Sequence, residues 1–131
     1  MASIEEKIEA TIQGYFDAFN ALDANAVVVL FADNATVEDP VGTPLKSGSD
    51  EIISFYERSM QSKAKLQRTG PARINNQEAA FPFRAQVTMP QGRLEIDVID
   101  HMTFDEDGKI LTMRAFFGEA NTRMLKEGEE A

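Results

Sequence analysis

The stretch RLEIDVIDHMTF, residues 93–104, constrains the fold most because it alternates with almost no exceptions. Leu94, Ile96, Val98, Met102 and Phe104 hold even positions, whereas Arg93, Glu95, Asp97, His101 and Thr103 hold odd ones. Successive side chains on a strand point to opposite faces, so this pattern predicts a strand with one apolar and one polar face. The preceding stretch alternates too, through Ala79, Phe81, Phe83, Ala85, Val87 and Met89. Pro90-Gln91-Gly92 and Asp105 to Gly108 are turn sequences, and KILTMRAFFGEA closes the run. Strands joined by such short turns predict an antiparallel meander. Upstream, AKLQRTGPARINN predicts a further strand with a bulge or bend at Gly70-Pro71.

The N-terminal half follows a different period. In SIEEKIEATIQGYFDAFNAL, Ser3 and Glu6 match a capping box, and Ile4, Ile8, Ile12, Tyr15, Phe16 and Phe19 make one apolar stripe. DANAVVVLFAD has strand propensity in its β-branched run, but Asp23 as N-cap and the short connection favour a second, short helix. SDEIISFYERSMQ predicts a third helix opened by Gly48 and Ser49. Helices first and strands afterwards predict one α+β domain over 1–131, with the helices covering one face of a curved sheet. The polar tail at 126–131 is expected to fray.

Composition excludes several chemistries. The chain has no cysteine, so thiol nucleophiles, disulfides, zinc–thiolate sites and iron–sulfur clusters are impossible. A single histidine, His101, excludes multi-histidine metal sites. The net charge of −9 argues against nucleic acid and anionic membranes as partners. No signal peptide or membrane-length apolar run is visible, and a cytoplasmic location is the default expectation.

Two acids then stand out. Asp100 interrupts the apolar face of 93–104, where an ionised carboxylate would be costly. The bland explanation is a bulge that turns it outwards, or a partner such as Arg84 or Arg114. In ATVEDPVG, residues 35–42, Asp39 shares parity with Val37 and Val41, while Glu38 shares it with Thr36. Asp39 is therefore expected inside and Glu38 outside. Asp39 could equally do no more than start a turn before Pro40. Two inward acids at different depths suggest one ionised base and one neutral donor. Tyr15, on the apolar stripe of the first helix, is a candidate second donor or an ordinary core residue. His101, on the face opposite Asp100, is expected at the surface or at an interface.

The stretches GYFDAFNALDA, LFADNATVEDPVG, ISFYERS, VIDHMTFDEDGKI and LTMRAFFGEAN together resemble the bacterial delta-5-3-ketosteroid isomerases of the nuclear transport factor 2-like (SnoaL-like) superfamily. The resemblance runs from about residue 10 to 121 and is unclear over 61–69 and in the acidic tail. It implies a cone-shaped, mixed or antiparallel curved sheet with three N-terminal helices around an apolar pocket. It implies Asp39 as general base, with Tyr15 and a protonated Asp100 as donors to a substrate oxygen. Ketosteroid isomerases are themselves the usual illustration of a carboxylic acid kept neutral by an apolar site, so this division of labour is carried over from them. Tyr56 matches a tyrosine that bonds the catalytic one, and Phe55, Phe83, Val98, Met113 and Phe117 match residues that line the steroid pocket. The implied substrate is a small apolar steroid, the implied assembly a homodimer, and no metal or organic cofactor is implied.

Rival readings are another small-molecule enzyme of this fold, such as a polyketide cyclase, or a non-catalytic binding or dimerisation module. A dehydratase of this fold would want paired histidines. An epoxide hydrolase would want an Asp-Arg-Asp set, which Arg84 or Arg114 could complete only if strand parity fails. In a mere binding module, Asp39, Tyr15 and Asp100 should lie apart or face solvent.

Overall fold

The computed structural model describes residues 2–125. Three helices precede most of the sheet: α1 (Ile4–Asn20), α2 (Ala24–Val28) and α3 (Gly48–Met60). The capping box of α1 forms as expected, with the Glu6 amide donating to Ser3 Oγ and the Ser3 amide to Glu6 Oε1. Asp23 caps α2 by accepting from the Ala26 amide, so the β-branched run begins as helix and becomes strand only at Phe31.

The strands are β1 (Phe31–Glu38), β2 (Lys46–Ser47), β3 (Lys65–Arg68), β4 (Arg73–Asn75), β5 (Glu78–Met89), β6 (Gly92–Phe104), β7 (Ile110–Phe116) and β8 (Thr122–Leu125). The sheet runs in the order β2-β1-β7-β6-β5-β3, with β4 also on β5 and β8 also on β6. β1 pairs with β7 in parallel and the other pairings are antiparallel, which makes the sheet mixed. The expected meander is β5-β6-β7, and the bend at Gly70-Pro71 splits one expected strand into β3 and β4. The sequence did not reveal β2 or β8. The tail at 126–131 lies outside the described residues.

The core lies between the helices and one face of the sheet. Ile8, Ile12, Tyr15 and Phe16 of α1 are buried there with Phe81, Met102, Ile110 and Met113 from the strands. Phe16 meets Phe81 and Phe83 edge to face, with ring centroids 5.6 and 5.3 Å apart. Packing of this kind adds about 1 kcal/mol per ring pair beyond area burial. The β6–β7 turn is tied to α1 by Thr11 Oγ1, which donates to the Gly108 carbonyl at 2.7 Å. Gly108 has φ +82, and a Cβ there would sit 3.0 Å from Lys7 Cβ, so the turn requires glycine on both counts.

Candidate active site

Four elements bring the predicted residues to one place. Tyr15 comes from the inward stripe of α1 and Tyr56 from that of α3. Their hydroxyls are 2.9 Å apart and both rings are buried. Tyr15, Phe19, Phe31 and Phe55 surround the Tyr56 ring at centroid distances of 5.9, 6.3, 5.9 and 5.0 Å. This cage fixes the tyrosine pair. Asp39 follows the end of β1, and Asp100 projects from the middle of β6.

Parity predicted the direction of both acids. In β1, Val37 is fully buried, while Glu38 points out and accepts from Arg114 Nε at 2.9 Å and the Gly42 amide at 2.9 Å. These donors hold the Glu38 carboxyl below its ordinary range, the Gly42 amide contributing most. Asp39 faces the cavity, and burial pushes its carboxyl up to about 6 against the opposing pull of the Lys46 ammonium. The alternation ends there. Val41, expected to share the inner face, is exposed, because β1 has already stopped at Glu38.

Asp100 is 1% exposed, and neither carboxyl oxygen has a hydrogen-bond partner among the described residues. No bulge turns it outwards: it stands in register opposite Phe81 and Ala115, both buried. The arginines that could have neutralised it are engaged on the other face, Arg84 with Asp97 and Arg114 with Glu38, each at 2.9 Å. Burial first, and the Asp39 charge second, push the Asp100 carboxyl well above the usual range. Such surroundings favour the protonated carboxyl, whose O–H is a hydrogen-bond donor. Burial likewise raises both tyrosines, so both remain phenols.

The cavity beside these groups has a volume of about 260 Å3. Asp39, Tyr15 and Tyr56 meet Phe55, Phe83, Val98 and Phe117 in its wall. Phe19, Leu66, Val87 and Ile96 also line it and were not singled out from the sequence. Met113 is buried in register with Val37 and Met102, and neither it nor Asp100 is part of this lining. A larger hollow of about 660 Å3 includes Arg84, Asp97, Ile99 and Phe116 from the outer face. Asp39, Tyr15 and Tyr56 are absent from its lining, so size does not mark the reactive site here. His101 is on the outer face, with Nε2 2.9 Å from Glu78 Oε1. Among the described residues, no group of three or more His, Asp or Glu side chains could hold a metal ion. No helix among them is long and apolar enough to cross a membrane.

The sequence also missed buried Glu95. It sits on the odd, outer face of β6, yet it is fully buried, with Arg123 Nη2 donating to it at 2.8 Å and Gln86 Nε2 also donating. β8, unrecognised in the sequence, supplies that arginine.

Comparison with known proteins agrees with this geometry. Residues 12–113 match the model of the SnoaL-like domain. The chain belongs to the SnoaL-like family. It is 34% identical over 111 residues to a steroid Delta-isomerase of Nocardioides simplex, covering 85% of this chain and 89% of that protein. A solved structure, of the epoxide hydrolase/cyclase-like enzyme SalBIII that acts in pyran ring formation in the polyether salinomycin, superposes with a TM-score of 0.86. It is 27% identical and covers 92% of this chain and 98% of its own. These relatives place the SnoaL-like chain with isomerase- or cyclase-type enzymes of the fold.

Proposed function

We propose that this SnoaL-like protein is a steroid delta-isomerase that converts 3-oxo-delta-5 steroids to conjugated 3-oxo-delta-4 steroids. The observation that carries the reading is a pairing of opposite acids. Asp39, near pH 6, is a carboxylate at neutral pH, whereas buried Asp100 keeps its proton. The first can take a proton and the second can donate a hydrogen bond.

In this mechanism Asp39 removes a proton from C4 of the steroid. The C4 electron pair moves into conjugation and charge develops on the C3 oxygen as a dienolate. Tyr15 and Asp100 donate hydrogen bonds to that oxygen, and the Tyr56 hydroxyl, 2.9 Å from that of Tyr15, holds the Tyr15 hydroxyl in place. Asp39 then returns the proton to C6 and is regenerated as carboxylate. The ketone and the dienolate differ chiefly in charge on one oxygen, so fixed donors there favour the transition state over the substrate. The apolar wall receives the rings, and burial in the adjoining core keeps Asp100 neutral. The reaction moves a proton and a double bond within one molecule and requires no redox partner.

A cyclase-type reaction is the second reading, favoured by the likeness to the SalBIII structure. An epoxide-opening set of the Asp-Arg-Asp kind finds little support, since Arg84 and Arg114 are paired on the outer face. A passive binding module would leave a partnerless buried acid beside a base with no task. For the assembly we favour a homodimer. Ile99 and Phe116 are cross-strand partners on the outer face, exposed by 51% and 44%, and form an apolar patch that a second copy could cover. Absorbance of the conjugated enone tests the activity: wild type should generate it from a delta-5-3-ketosteroid. Asp39→Asn should bind the steroid but lose most turnover, and near-normal rates in that variant would remove Asp39 as base.

A further inference from the structure

Lys46 is the feature of the site that neither the mechanism nor the comparisons use. It lies on β2, a two-residue strand at the edge of the sheet. Its register partner is Val37. Directly paired residues send their side chains to the same face, and Val37 is wholly buried on the cavity side. Lys46 is therefore turned inwards, towards the face on which Asp39 follows two residues after Val37. Its Nζ stands 5.0 Å from the centroid of the Phe55 ring, itself part of the cavity wall. A cation resting over an aromatic face is held in place without being neutralised.

We propose that Lys46 is a positioning residue for catalysis, a cation held at the cavity rim by Phe55 that keeps Asp39 in its carboxylate form. The proposal rests on the steroid-isomerase reading for its catalytic consequence, but not for its effect on Asp39.

The titratable and charged groups around Asp39 come from α1, α3, β6, β7 and β2. Tyr15 of α1 and Tyr56 of α3 are neutral phenols, and Asp100 of β6 is a neutral acid. Each interacts with the Asp39 charge, and none of them stabilises it as a cation would. On β7, Arg114 is turned outwards and bound to Glu38. Lys46 of β2 opposes the effect of burial on Asp39. It forms no salt bridge with Asp39 among the described residues. That separation matters. A direct ion pair would lower the carboxyl strongly and weaken it as a base, whereas without the cation burial would raise it further and leave a larger share protonated when it must accept. A lysine pointing inwards from an edge strand also discourages edge-to-edge pairing. That structural role alone would leave the titration of Asp39 unchanged.

The test is a titration of the Asp39 side-chain carboxyl by 13C NMR in wild type, Lys46→Met and Lys46→Arg, with Asp39→Asn identifying the resonance. The midpoint should rise by about half a unit or more in Lys46→Met and stay near wild type in Lys46→Arg. The difference should shrink in concentrated salt, because the lysine is partly exposed. The acidic limb of kcat/KM for isomerisation should move upward by the same amount. An unmoved midpoint in folded Lys46→Met, or in Lys46→Gln if the first variant does not fold, overturns the proposal. So does a loss of activity by one constant factor at every pH. A wild type that does not isomerise the steroid defeats the steroid reading, and the titration then still decides the role of Lys46.

Discussion

Glu38 and Asp39 are neighbours in the chain, yet their surroundings drive them in opposite directions. Glu38 is held ionised by an amide and a guanidinium, while Asp39 is raised by burial to about 6. Removing a proton from substrate requires the carboxylate, so kcat/KM should fall about tenfold per pH unit below about 6 and level off above it. A rate independent of pH between 4.5 and 7 would contradict this assignment. Tyr15→Phe removes one donor to the oxyanion and should lower kcat by roughly 10²–10³. An unchanged kcat would take Tyr15 out of the site. Asp100→Asn keeps an N–H donor and Asp100→Leu does not, so the amide should retain more activity. The opposite order would mean that Asp100 does not act as a donor. Parity alone made Asp39 and Asp100 unusual, because a charge on a buried strand face is conspicuous. Lys46 was not legible, since a strand of two residues carries no period to read.

At the scale of elements, β6 shows both the reach and the limit of alternation. Its even face reads correctly because helices cover one side of the sheet from Val98 to Phe104. Its odd face fails at Glu95, because β8 pairs with 93–96 and brings Arg123, in register with Glu95, onto the carboxylate. Four residues reading Thr-Arg-Met-Leu give too little pattern to announce a strand, and the partner they need is remote in sequence. The role of Arg123 follows from this pairing. It binds Glu95 at 2.8 Å and Asp97 at 3.1 Å, and so fastens β8 to β6. Arg123→Ala leaves a buried carboxylate without its cation and should lower stability. Adding Glu95→Gln should recover part of that loss in urea unfolding. A single variant as stable as wild type would show that β8 is held by its backbone alone. The helices were easier to read, since the capping box of α1 and Asp23 before α2 are local signals that need no partner. Met113 was placed from resemblance, and its register against Val37 and Met102 leaves it buried.

For the whole molecule, the site has a cost in stability that depends on pH. Asp39 binds its proton more tightly folded than unfolded, so its contribution falls as pH rises from about 4 through 6. Asp100 acts in the same direction and over a wider range. Depressed carboxyls such as Glu38 and Asp97 act oppositely, and their stabilisation is lost only as pH falls below the ordinary carboxylate range. Asp39→Asn should therefore be more stable than wild type by about 2–3 kcal/mol at pH 8 and little different at pH 4. Equal stability at pH 8 would show that Asp39 is not desolvated. The α+β architecture, the meander and the inward acids were legible because they rest on period and parity. The parallel pairing of β1 with β7 and the closure by β8 were not, because they join segments far apart in the chain. The most direct measurement is the fate of a label. A 3-oxo-delta-5 steroid deuterated at C4 should yield, in ordinary water, a delta-4 product carrying deuterium at C6, because Asp39 takes and returns the same atom. A product whose new C6 hydrogen comes only from solvent would contradict the Asp39 shuttle, and the absence of any delta-4 product would contradict the isomerase itself.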